Sequence, residues 1–431
     1  MNLKVEIYKD TTGNPFPLIV KNGIFPACLY LNAYLNGNHN SPLSRSKRGK
    51  SSQSPSLNTL IKYAYELKLI YSHFTSKNIN LAQRVSSGEF ISQSELEDFV
   101  RVCKLYADNE DIGKSEVVNL TNRRIQNAIH ATINSQVQVS AHTFRQRLIR
   151  FRCYIENLYM CQHYGQCPSD EIASLDVKFR AFQQNMNRYI SGIRNDNTVT
   201  KDPLSPVIST EDFFNLLEII KSSSPHNPFK LSKLRNQIIM QILIETGVRV
   251  GAILKLKISD LIDDWSTPRF LLTRTLNDTS DKRRIPAKNK TKAISVSVSS
   301  DLMKLLKLYI ETTRAAHSQA SKHDFIIISE KGKSSGQPIT YDAVYKITDK
   351  FGKTINTKLF PHKLRHKWNE IFSINAELAG YSQDQVEDMR KYSMGWVEDS
   401  KMVNIYNEFK LAVKVAELSR VNQKKSVPTL S

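Results

Sequence analysis

The polar stretch from Arg194 to Pro206, which holds Asn195, Asp196, Asn197, Pro203 and Pro206, constrains this chain more than any other segment. Its prolines lack an N–H donor, and Asn and Asp favour turns over ladders, so it suits neither a helix nor a buried strand. A chain of 431 residues has room for two to three domains with sizeable cores, and this stretch reads as a linker between its halves.

On both sides the pattern is mostly helical. Leu60, Ile61, Ala64, Leu67, Ile70, Tyr71 and Phe74 recur at helical spacing, and so do Phe144, Leu148, Phe151, Ile155, Leu158 and Tyr159. Arg145, Arg147, Arg150 and Arg152 stand between the apolar positions of the second stripe as candidate DNA-binding residues, with an ordinary solvated face as the alternative. Leu3, Val5 and Ile7 alternate like a strand, and Ser41 to Ser56 is a Ser/Lys/Arg linker with Arg45, Lys47, Arg48 and Lys50. A boundary near residue 50 is expected, giving an N-terminal segment 1–50 and a helical domain 51–195.

In the second half Ser209 is a good N-cap, Asp212 stands at capping-box spacing, and Phe213, Phe214, Leu216, Leu217 and Ile220 form the stripe behind them. A second helix, Leu234 to Glu245, stops at Gly247. Phe270 to Thr275 and Ile294 to Val298 alternate as neighbouring strands, joined by a basic connection from Asp281 to Lys292, and Phe325 to Ile328 fits a short third strand. Helices are expected after Thr340, after Pro361 and over Ser400 to Leu418. The predicted fold class is mainly α with a small antiparallel β-sheet (α+β), with a second domain at 205–420 and a flexible tail at 421–431.

Charge narrows the partners. Lys and Arg number 61 against 41 Asp and Glu, a net +20, which favours a polyanion, with nucleic acid ahead of an anionic membrane surface. No apolar run is long enough for a membrane span, and the first residues lack the pattern of a secretion signal, so a cytoplasmic protein is expected. The five cysteines lack CxxC spacing and read as reduced core thiols. Cys161, His163 and Cys167 want a fourth ligand for a closed zinc site, so no metal is expected.

Three stretches of the second half carry chemistry-bearing residues. Glu245-Thr-Gly-Val-Arg249 ends a helix at a glycine and delivers an arginine, followed by Leu254-Lys-Leu256 and Asp260. Pro361-His362-Lys-Leu-Arg365-His366 starts a helix and sets His362 and Arg365 on one face. Met394-Gly395-Trp396 is followed by Tyr406. Each alone has a plain reading as a salt-bridge partner, a helix-start residue or a core aromatic.

In this order the stretches resemble the catalytic domain of the tyrosine site-specific recombinases, the phage integrase family. Thr246-Gly247-Val248-Arg249 with Leu254, Leu256 and Asp260 is similar to its first box. His362-Lys-Leu-Arg365-His366 is similar to its second, and Gly395-Trp396 followed by Tyr406 to its last. Three departures stand out. Ala252 occupies a position the family usually gives to an acidic residue, Ala376 to Tyr392 looks like an insertion, and Trp396 to Tyr406 is one residue longer than the common spacing. The resemblance implies a helical core-binding domain at 51–195, a catalytic domain at 205–420, and a catalytic lysine in the basic connection. Lys288, Lys290 and Lys292 are its candidates; family spacing favours Lys290, with Lys288 second.

Breaking a phosphodiester without metal or other cofactor needs a nucleophile, charge on the non-bridging oxygens and a proton for the leaving oxygen. The resemblance assigns these jobs to Tyr406, to Arg249 and Arg365, and to the lysine, with His362 as base and Trp396 as indole donor. It implies double-stranded DNA as partner, a homotetramer on DNA from protomers that are monomeric or weakly associated when free, and accessory DNA-bending or directionality proteins. Such an enzyme would be cytoplasmic and nucleoid-associated when bound. The competing readings are a type IB topoisomerase-like enzyme or hairpin-forming resolvase, a non-catalytic DNA-binding accessory protein of the same fold, and a basic RNA- or membrane-surface-binding protein.

Overall fold

The computed structural model describes residues 2–23, 25–37, 55–105, 138–163, 169–194, 208–264, 266–273, 278, 280–289 and 292–396, with positions 411, 415, 418, 419 and 422. The chain divides into two compact units, Met1–Thr200 and Lys201–Ser431. Helices dominate both, and two three-stranded antiparallel sheets are present among the described residues, in keeping with the mainly α reading.

In the first unit β1 (Leu3–Lys9) pairs with β2 (Pro15–Lys21), Leu3 opposite Lys21 and Lys9 opposite Pro15. The Asp10 carboxylate holds the turn by accepting from the N–H groups of Thr12 and Asn14 at 2.9 and 2.8 Å. β3 (Phe25–Pro26) extends the sheet, and α1 (Leu29–Asn36) follows. Asn32 on α1 accepts from Ile19 N–H at 2.9 Å and donates at 3.1 Å to the Ile19 carbonyl, which also accepts from Ala27 N–H at 2.9 Å, so a side-chain amide supplies a buried strand N–H with its acceptor. The unit continues through α2 (Leu57–Ser76), α3 (Leu81–Ser86), α4 (Gln93–Lys104), α5 (Ala141–His163) and α6 (Ser169–Gly192).

Ile19, Leu31 and Leu35 share one core with Leu67, Ile70, Phe74, Phe99 and Phe151. The expected boundary near residue 50 is therefore corrected. The segment before it is no separate body, because its apolar side chains are covered by the helices that follow. Of the basic linker from Ser41 to Ser56, residues 41–54 lie outside the described residues.

In the second unit α7 (Thr210–Ile219) starts at Ser209, whose hydroxyl accepts from Asp212 N–H at 3.0 Å. The Asp212 carboxylate accepts from Thr357 Oγ at 3.0 Å. α8 (Lys233–Thr246) is apolar on most sides, with Ile238, Ile239 and Met240 fully buried, as a helix enclosed by others must be. It contacts α9 (Val250–Lys255), α10 (Ser300–Tyr309), α11 (Tyr341–Thr354) and α12 (Pro361–Leu378). β5 (Arg269–Leu272) pairs with β6 (Ile294–Ser297) as the alternation predicts, but the third strand is β4 (Leu261–Ile262). Phe325 to Ile328 is buried core that makes only single bridges, Phe325 to Lys257 and Ile328 to Pro338. α13 (Gln383–Met394) packs on α12 and β6. Among the described residues no helix is long and apolar enough to cross a membrane.

Candidate active site

The apolar helix α8 stops at Gly247, whose φ of +58° reverses the chain while its N–H donates to the Leu243 carbonyl at 3.2 Å. Arg249 then becomes the N-cap of α9. Only glycine fits this turn, since a Cβ at 247 would lie 2.8 Å from the Trp368 ring and 3.1 Å from Met394 Cε.

α12 begins with Pro361 in its first turn, where a missing N–H costs nothing, and carries His362, Arg365 and His366. Arg365 is 3% exposed and its Nη1 donates to the Gly247 carbonyl at 2.5 Å. The second motif is thus bonded to the turn of the first. Desolvation of its ring, followed by the guanidiniums of Arg365 and Arg249, holds the His362 imidazole below the usual histidine range, although the residue keeps an exposed edge. His366 meets His362 edge-on with ring centres 4.7 Å apart, and burial, His362 and Arg365 push it down to about 4. Both imidazoles are neutral at pH 7, each with a lone pair.

The third motif closes on the same spot. Gly395, at φ +59°, ends α13, and Trp396 N–H donates back to the Lys391 carbonyl at 2.9 Å. Trp396 is 5% exposed and clusters with Met394 and Trp368, and the Arg365 guanidinium lies 5.9 Å from its ring centre. The stretch read as an insertion is the end of α12 and most of α13, tied down by buried Arg390 donating to Ser373 Oγ at 2.6 Å. Tyr406 lies outside the described residues.

The basic connection is held at three points. Asp281 and Arg283 pair at 2.6 Å near its start, and Arg283 donates to the carbonyls of Leu254 at 3.0 Å and Ile339 at 2.8 Å. In the middle the Lys288 carbonyl crosses Gly251 so closely that a Cβ there would lie 2.3 Å from it. At the end Lys292 N–H donates to the Gly395 carbonyl at 3.1 Å. These contacts bring the connection beside the residues that follow Arg249 and beside the turn before Trp396. Lys288 is half-buried and Lys292 exposed, while Lys290 lies outside the described residues.

The four arginines of α5 all donate to groups within their own unit. Arg150 is 6% exposed, donates to Glu66 at 3.2 Å and to Tyr34 Oη at 2.9 Å, and lies over the Tyr63 ring. Arg145 donates to the Ile193 carbonyl, Arg147 to the Cys103 carbonyl at 3.0 Å and Arg152 to Asn187 at 2.5 Å. For buried Arg150 the DNA-binding expectation is corrected, because its guanidinium is committed to partners in the core, whereas Arg145, Arg147 and Arg152 are half-buried. His163 hydrogen-bonds the Val85 carbonyl at 2.7 Å, and among the described residues no group of three or more His, Cys, Asp or Glu side chains could hold a metal ion.

Sequence reasoning passed over Trp368, Gly251 and the Asp281–Arg283 pair. Trp368 follows Arg365 at i,i+3 and Gly251 follows Arg249 by two, so proximity to the motifs was the available signal. The Asp281–Arg283 pair offered none, because its acceptors come from distant segments.

The phage integrase family model matches residues 207–410. Transposase A from transposon Tn554 of Staphylococcus aureus is 26% identical over 132 residues, 31% of this chain and 34% of that protein. Tyrosine recombinase XerC of Staphylococcus carnosus is 29% identical over 135 residues, 31% of this chain and 38% of that protein. The matched stretch thus spans little more than a third of the length of these curated relatives. Among solved structures, XerH site-specific recombinase bound to palindromic difH substrate aligns over 86% of this chain and 81% of that chain, at 16% identity and a TM-score of 0.46.

Proposed function

We propose, from the match of residues 207–410 to the phage integrase family model, that this chain is a site-specific DNA recombinase that cuts and rejoins DNA through a 3′-phosphotyrosyl intermediate. The observation that carries the reading is the bond from Arg365 to the Gly247 carbonyl, which sets the helix of His362 and Arg365 against the turn that delivers Arg249. Two positive, planar forks beside a neutral base suit an in-line attack on a phosphodiester.

In the proposed step the Tyr406 oxygen attacks phosphorus and its proton passes to His362. The bond from phosphorus to the 5′ oxygen breaks as a lysine of the connection, Lys290 ahead of Lys288, protonates that oxygen. Arg249 and Arg365 neutralise the non-bridging oxygens, and Trp396 backs Arg365 and offers its indole N–H. The phosphate ester is conserved, so a 5′ hydroxyl of the partner strand reverses the step without ATP or metal. Four protomers would act on two duplexes, joined through the segment after Tyr406.

The test is incubation with duplex DNA from the flanks of its own coding element, nicked near the crossover point, followed by a denaturing gel. The protein is expected to form a covalent adduct that persists in excess EDTA, and Tyr406→Phe to bind DNA without forming one. Adducts surviving in that variant would remove Tyr406 from the scheme.

A further inference from the structure

We propose that Trp368 is a positioning residue for the two arginines, its indole fixing the Gly247 turn from which Arg249 departs and to which Arg365 is bonded. The indole Nε1 donates at 2.8 Å to the Glu245 carbonyl, in the last turn of α8 where helix carbonyls lack intrahelical partners. The ring fills the space a Cβ on Gly247 would enter, 2.8 Å from that position. Its other neighbours are Phe372, stacked at 4.9 Å and 15°, and the buried pair Met394 and Trp396. One side chain therefore touches the end of the first motif, stands on the helix of the second and abuts the third.

An aromatic that merely filled volume here would need only its ring. The indole N–H adds direction, because it ties α12 to the backbone two residues before the glycine whose carbonyl accepts from Arg365. Without that tie the turn is held by packing alone, and small displacements of both guanidiniums follow. Catalytic groups lose rate steeply when misplaced by fractions of an ångström, whereas overall folding does not depend on such shifts.

The activity arm of the test rests on the recombinase reading; the titration arm does not. Trp368→Phe keeps ring packing and deletes the donor. With ordinary DNA, cleavage is expected to slow about tenfold at unchanged DNA affinity, the effect of losing one ordered hydrogen bond. With a methylphosphonate at the scissile position, which has no anionic oxygen for the arginines to neutralise, the variant should match the unsubstituted protein. Equal slowing on both substrates, or on neither, would overturn the proposal.

In the titration arm, imidazole NMR follows His362, assigned with His362→Gln. Its surroundings are Arg249, Arg365 and His366, so guanidiniums that drift away in Trp368→Phe should let its midpoint rise toward the ordinary histidine value. An unchanged midpoint in the folded variant refutes the positioning role. Should Trp368→Phe not fold, benzothienylalanine at 368, which puts sulfur in place of the N–H, is measured in the same two ways. Failure of the unsubstituted protein to form any adduct would refute the recombinase reading and leave the titration arm to decide the role of Trp368.

Discussion

Arg365 donates to the carbonyl of Gly247 at 2.5 Å across a separation of 118 residues, so the second arginine of the site is set by the backbone turn that launches the first. A guanidinium can hold that carbonyl and still present a planar fork to an anion, which a single ammonium cannot do. Arg365→Lys is expected to reduce adduct formation by ~100-fold while DNA affinity in a gel-shift assay changes little. A variant within a few-fold of normal would show that charge alone suffices at this position.

Gly247 is required for its backbone and for its missing side chain. Gly247→Ala must adopt φ +58° with a Cβ 2.8 Å from the Trp368 ring. A stability loss of about 2 kcal/mol in urea titration is expected, with a fall in cleavage beyond what the unfolded fraction accounts for.

Glu66 and Arg150 form an ion pair with both side chains under 10% exposed. Removing one partner strands the other charge in the core, so Glu66→Ala should destabilise the first unit by about 3 kcal/mol. Replacing both, as Glu66→Met with Arg150→Met, should cost less than Glu66→Ala alone. A double variant less stable than the single one would mean that the pair contributes net stability.

The long apolar stripes of α2 and α5 and the glycine stop of α8 were legible because periodicity and capping act locally. The placement of His362 and Arg365 on α12 was legible for the same reason, since Pro361 starts the helix and i,i+3 spacing aligns the two. What the chain conceals depends on distant partners. Asn32 reads as an ordinary polar helix residue until Ile19 is beside it, and the α5 arginines read as a basic face until Glu66, Cys103, Asn187 and Ile193 claim them. Phe325 to Ile328 is as apolar as a strand or a core filler, and only its neighbours decide between them.

His366 gives the second unit a pH signature. Its pKa, pushed down to about 4 from an ordinary 6.5, is lower in the folded than in the unfolded chain, so unfolding takes up a proton between those values. The stability it contributes is fully present above pH 6.5 and is lost as pH falls toward 4. His362 adds in the same direction. Allowing for partial exposure, the drop attributable to His366 is about 2 kcal/mol. His366→Gln should flatten that part of the pH profile in urea titrations, and an unaltered slope would place the proton uptake elsewhere.

The close crossing of Lys288 over Gly251 offers a way to test the proton donor without touching a lysine. A Cβ at position 251 would lie 2.3 Å from the Lys288 carbonyl oxygen, a backbone atom that cannot swing aside, so Gly251→Ala must push the connection away from α9. A lysine acts as general acid only within hydrogen-bond reach of the leaving 5′ oxygen. Gly251→Ala and the true lysine-to-alanine variant should therefore share one phenotype: slow cleavage of ordinary DNA, largely restored when the bridging 5′ oxygen is replaced by sulfur, which leaves without a proton. Lys290→Ala is expected to show that rescue and Lys292→Ala to be equally affected on both substrates, with Lys288→Ala the alternative if Lys290→Ala shows none. Slowing of Gly251→Ala that sulfur does not relieve would mean that the crossing supports Arg249 and not the acid.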